Sequence, residues 1–119
     1  MNKKRVNGWI IVAKEALIKA GIVQDGKINK SFRGQISSFG AATVMGSLKS
    51  AIAFFIEQGG AAVAREKLVQ AMYYIISREK KEPKKILEIV CMSESKELKE
   101  KFIDAAIALK LAMNFFELE

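Results

Sequence analysis

The sequence predicts an all-α fold: one domain over residues 1–119, built as an antiparallel bundle of five to six helices. Apolar residues recur at helical spacing in successive segments, and the polar connections between those segments are short. Runs that could form strands, such as Ile22-Val23 and Lys27-Ile28, are too short to be convincing. A chain of 119 residues, half of them apolar, can bury about two-thirds of its unfolded surface and needs neither metal nor disulfide to fold.

Helix one is predicted from Lys3 to Ala20. Val6, Trp9, Ile10, Ala13, Ala16, Leu17 and Ala20 make its inner face, and Gly21 is a C-terminal stop. Trp9 is expected in the core rather than as a stacking platform. Ile11 and Ile18 lie off that face and imply cover on a second side. Asp25-Gly26 is a turn dipeptide. Helix two is expected from Lys30 or Ser31 to Phe39, with Asn29 or Ser31 as cap and Phe32, Ile36 and Phe39 inward. Gly40 then reads as a hinge, because glycine inside a helix costs about 1 kcal/mol relative to alanine.

Helix three is predicted from Ala41 to Gln58, ended by Gly59-Gly60. Its apolar positions Ala41, Val44, Met45, Leu48, Ala51, Ile52, Phe55 and Ile56 suggest that it runs through the middle of the core. Helix four follows from Ala61 to Ser77, with Ala64, Leu68, Ala71, Met72 and Ile75 inward. Arg78 to Lys85 is the most polar stretch and reads as a solvated loop, since Pro83 disfavours helix at Glu82. Pro83 can open a short helix five reaching Cys91. Ser93 is the expected cap of helix six, Glu94 to Leu118. Leu98, Phe102, Ala105, Leu109, Ala112, Met113 and Phe116 form its inner face, widened by Ile103, Ile107 and Leu111. Glu100, Asp104, Lys110, Asn114 and Glu117 form its wet stripe.

Composition argues against catalysis. The chain has no histidine, which excludes imidazole metal sites and histidine-activated nucleophiles. Its one cysteine, Cys91, follows an apolar run and is expected to be a buried, inert thiol. Acidic residues of the last helix alternate with lysines, as surface ion pairs do. Gly34, Gly40 and Gly46 recur without the strand and Gly-Lys-Ser/Thr of a phosphate loop. No enzyme activity, cofactor or metal is expected. The apolar run from Trp9 to Ala13 is broken by Lys14 and Glu15, too early for a signal peptide, so a soluble cytoplasmic protein is expected.

Charge is the informative feature. The formal net charge is +7, and residues 1–60 carry nine Lys/Arg against three Asp/Glu, while residues 61–119 carry eleven against ten. No carboxylate occurs from Gly26 to Ile56. A basic half beside a neutral one suggests a footprint for a polyanion. Lys3, Lys4, Arg5, Lys27, Lys30, Arg33 and Lys49 are the candidate nucleic-acid contacts, if helices one to three bring them together. Four phosphate contacts to a single strand would lower affinity about 50-fold between 50 and 200 mM salt. Phe54 falls off the main face of helix three and is the candidate partner contact.

Three segments resemble a known family: Trp9 with Ala13 and Ala16; Phe39-Gly40 followed by Leu48 and Ala51-Ile-Ala-Phe54; and Ala106-Ile-Ala-Leu-Lys-Leu-Ala-Met-Asn-Phe-Phe116. In size, helix order and the alanine-rich last helix, the chain resembles the small all-helical subunit of the Cmr complex, the type III-B CRISPR effector. That resemblance implies a non-catalytic filament subunit in antiviral defence. Copies would stack beside the guide-carrying backbone subunits, near the large subunits, and help line a basic groove for guide RNA and target RNA. Two other readings stand beside it. Helices two and three around Gly40 could form a DNA-binding helix-turn-helix, although helix three offers base edges only Ser47, Lys49 and Ser50, where Arg, Asn or Gln would be preferred. Phe54 and the small residues near it could instead serve a protein-interaction module.

Overall fold

A computed structural model describes residues 1–57 and 64–119, and the helical fold predicted from periodicity is what it contains. The described elements run α1 (Lys3–Lys19), β1 (Val23–Gln24), β2 (Lys27–Ile28), α2 (Ser31–Met45), α3 (Leu48–Ile56), α4 (Glu66–Ser77), α5 (Pro83–Ser93) and α6 (Lys96–Ala112). A 3-10 turn over Met113–Phe115 and strand β3 (Glu117–Leu118) complete the chain. The predicted end of helix three at Gln58, its Gly59-Gly60 stop and the predicted start of helix four at Ala61 lie outside the described residues.

Local chemistry explains the ends of α1 and α5. Asn2 caps α1 by accepting from the Arg5 N–H at 3.0 Å. At the other end Gly21 takes φ +77, its N–H donates to the Ile18 carbonyl, and the Ile22 N–H reaches back to Leu17. This paired return satisfies carbonyls that would otherwise be orphaned and turns the chain into β1. Pro83 opens α5 behind an extended Glu82, as its fixed φ and missing N–H favour.

The centre of the bundle is α6, not the predicted helix three. α6 packs against α1, α2 and α4, and Ala105, Ala106, Ala108 and Ala112 are buried along it. Small side chains along α6 let its neighbours approach closely. Phe102 of α6, Phe39 of α2 and Phe55 of α3 share an aromatic centre: ring centroids lie 5.2 Å apart for Phe39–Phe55 and 6.5 Å for Phe39–Phe102. Side-chain pairings show α2 and α4 antiparallel to the helices they flank (Arg33 meets Asn114 while Phe39 meets Phe102; Tyr74 meets Glu15 while Lys67 meets Gly21). α1 and α6 instead run the same way, with Arg5 beside Asp104 and Lys14 beside Phe115.

Several local expectations are corrected. The helix continues through Gly40 and breaks at Gly46, because Ser47 supplies a cap that accepts from the Ser50 N–H at 3.1 Å. With the break six residues later than expected, Val44 and Met45, expected inward, lie on the surface, Met45 87% exposed, and Ala41 is exposed as well. Thr43 is buried there instead, its hydroxyl donating to the Phe39 carbonyl at 2.8 Å.

Strands β1 and β2 do form a hairpin across Asp25-Gly26, both residues having positive φ (55 and 74). The hairpin is stabilised by β3, which pairs parallel to β2, and by burial of Ile22 and Ile28. The last helix is capped by Ser95 rather than Ser93 and stops at Ala112, so the chain's last residues supply β3. Ile11 and Ile18 have no covering layer, and Ile11 is 72% exposed. Cys91 is exposed rather than buried, because α5 turns only Ile86 and Val90 inward.

Candidate nucleic-acid interface

The seven candidate cations fall into three groups. Lys3, Lys4 and Arg5 start α1, beside the first half of α6. Lys27, Lys30 and Arg33 line the hairpin and the start of α2, beside residues 114–119. Lys49 opens α3, where its backbone N–H reaches Glu94 Oε1 at 3.4 Å. Asp104 on α6 marks the first group and Asn114, in the 3-10 turn that follows α6, marks the second, ten residues on and about 15 Å away at helical rise. The cations therefore form separate clusters rather than one patch.

Within the clusters their states differ. Arg5 is held by Asp104: Nη2 lies 2.7 Å from Oδ2 and Nε donates to the same oxygen at 2.9 Å. Asp104 was expected on the wet stripe of the last helix, but it is 1% exposed, and the Asn2 N–H also approaches both its oxygens at 3.4 Å. A buried carboxylate must be paired, so Arg5 is committed to the fold. Its guanidinium also lies 5.5 Å from the ring centroid of Trp9, which is half-buried rather than fully in the core. Lys27 lies 3.7 Å from Glu119.

Lys3, Lys4, Lys30 and Lys49 are exposed and have no carboxylate within ion-pair distance among the described residues. Arg33 is half-buried and donates through Nη1 to Asn114 Oδ1 at 2.7 Å. Phe54 is 52% exposed, as its off-face position suggested. The buried Arg65 guanidinium lies 4.4 Å from its ring centroid and donates through Nη2 to the carbonyls of Phe54 and Glu57, closing the end of α3.

Two features were missed from the sequence. Phe115, assigned to a continuous helix, sits in the 3-10 turn, 54% exposed as a residue, with Lys14 Nζ 4.9 Å from its ring centroid. A shallow groove between the end of α2 and the start of α6 is lined by Val44, Glu94, Lys96, Lys99, Glu100 and Ile103. Its two lysines and two glutamates balance, so the groove favours neither sign of ligand.

Among the described residues no three His, Cys, Asp or Glu side chains are grouped to hold a metal, and no helix is long and apolar enough to cross a membrane. One titration is displaced: the Tyr74 hydroxyl donates to Glu15 Oε1 at 2.7 Å, which raises its pKa above the ordinary 10.0. The pair joins α4 to α1. The junction that the helix-turn-helix reading placed at Gly40 lies instead at Gly46-Ser47, and Gly40 is continuous helix. No protein-family model, curated protein or solved structure matches this chain.

Proposed function

We propose that this chain is a non-catalytic helical subunit of a Cmr-type, type III-B CRISPR effector, acting in the cytoplasm. It would help assemble the complex beside backbone and large subunits and copies of itself, with a basic surface toward guide RNA and target RNA. The resemblance of the three segments supplies the family. The observation that carries the RNA-facing part is the set of exposed lysines (Lys3, Lys4, Lys30 and Lys49) whose ammonium groups have no carboxylate within ion-pair distance among the described residues. Lysines held in surface ion pairs have their charge largely answered, whereas unanswered ones create the field that attracts a polyanion. Their spread over several clusters suits a long nucleic acid held in an assembly.

The test is purification of the tagged protein from the cells that encode it, with identification of co-purifying proteins and nucleic acid. Several larger subunits, together with short RNAs that share a constant end, are expected. Recovery of the protein alone, or with duplex DNA, would overturn the proposal.

A further inference from the structure

Phe115 is anomalous for a helical bundle. A phenylalanine at the end of the most buried helix would ordinarily fold back onto the core, as the neighbouring Phe116 partly does. The chain instead leaves α6 in a 3-10 turn that holds the Phe115 ring outward, more than half exposed. Lys14 of α1 extends over the ring from one side. The preceding residue, Asn114, accepts from Arg33 of α2. Three elements distant in sequence thus bring Lys14 to a half-exposed aromatic ring and Arg33 to its sequence neighbour Asn114, and neither cation has a carboxylate within ion-pair distance among the described residues. Nearby acids are engaged in part: Glu15 accepts from Tyr74 and lies near Lys19, and Glu119 lies near Lys27, while Glu117 remains exposed.

We propose that Phe115 is a base-stacking platform for single-stranded nucleic acid, with Lys14 and Arg33 taking the flanking phosphates. This rests on the RNA-facing reading above and assigns it a position. An aromatic face accepts any base, and neighbouring cations track the backbone, the combination used by sequence-tolerant single-strand binders. Arg33 gives one of its five N–H groups to Asn114, so donors remain for a phosphate. A protein interface centred on Phe115 would be expected to be depleted of lysine, whereas this ring has a lysine over it.

The experiment is fluorescence anisotropy of a labelled 12-nucleotide oligouridylate with the full chain and with Phe115→Leu, Phe115→Trp and Lys14→Gln. Circular dichroism checks that each variant is folded. Phe115→Leu keeps the apolar bulk but loses the aromatic face. It is expected to weaken binding about 5- to 100-fold without changing the salt slope, and Phe115→Trp to restore binding. Lys14→Gln is expected to make the slope shallower by about 0.7. Equal binding by wild type and Phe115→Leu would overturn the platform while leaving the assembly reading intact. An isolated chain that binds no oligouridylate at 50 mM salt would also overturn it, and the purification experiment would decide the broader reading separately. A loss of self-association in Phe115→Leu, with RNA binding unchanged, would reassign the ring to a protein contact.

Discussion

Arg5 and Arg33 reach α6 in similar ways, and the difference between them separates architecture from availability. Each extends from another helix to a polar side chain of the last helix or of the turn that follows it: Arg5 to Asp104 at 2.7 Å, Arg33 to Asn114 at 2.7 Å. Asp104 is buried and charged, so Arg5 neutralises a group that could not otherwise stay inside. Asn114 is exposed and neutral, so its bond orients Arg33 without answering its charge. In sequence both are cations of the same basic half. The burial of the partner, which no single-residue property encodes, decides which of them is free to meet a ligand.

The sharpest way to break this comparison is to remove the partners. Asp104→Ala is expected to destabilise the protein by roughly 3 kcal/mol, the lower end for breaking a buried pair, because Arg5 keeps partial access to water. Thermal or urea unfolding would measure it, and a loss below about 1 kcal/mol would remove the pair's structural role. Gly40→Ala is expected to act in the opposite direction. Gly40 lies in continuous helix with open space where a Cβ would sit, so alanine should stabilise by about 0.5–1 kcal/mol. At Gly46 a Cβ would lie 3.1 Å from the Ala42 carbonyl oxygen, and the same change should gain nothing. Asn114→Ala, the surface counterpart of Asp104→Ala, should move the unfolding midpoint by no more than about 0.5 kcal/mol.

The smallest effect is a titration. Because the Glu15 carboxylate accepts a hydrogen bond from its hydroxyl, the Tyr74 phenol should ionise above 10.0 in the folded protein. Stabilisation from this pair is present below the unfolded pKa and lost as pH rises through the folded one. Ultraviolet titration in a Tyr73→Phe background, with and without Glu15→Gln, would show it. An unchanged midpoint in the Glu15→Gln protein would discount the bond.

Much of the fold was legible because the signals were local. Gly21 and Pro83 mark their helix boundaries through backbone freedom and ring geometry, and α1 was placed to within a residue at its end. The errors arose where two local signals competed or where a distant segment decided. Gly40 and Gly46 were both available as breaks, and the capping hydroxyl of Ser47 selected the second. Helical periodicity assigned Asp104 correctly to a helix but could not foresee that Arg5, 99 residues away, would make its burial tolerable. The hairpin looked too short in isolation, since its third strand comes from the far end of the chain. The candidate cations were legible by type and their pairing was not, and Phe115 was hidden by the assumption that the last helix continues past Ala112.

The most direct test of the central claim, that the unanswered cations face RNA, is the salt concentration at which the purified assembly releases its RNA. It would be compared between wild type and Arg33→Glu with Lys49→Glu, with melting of the isolated subunit as the folding control. Release at clearly lower salt with unchanged melting is expected. Wild-type salt resistance in a folded double variant would contradict the claim.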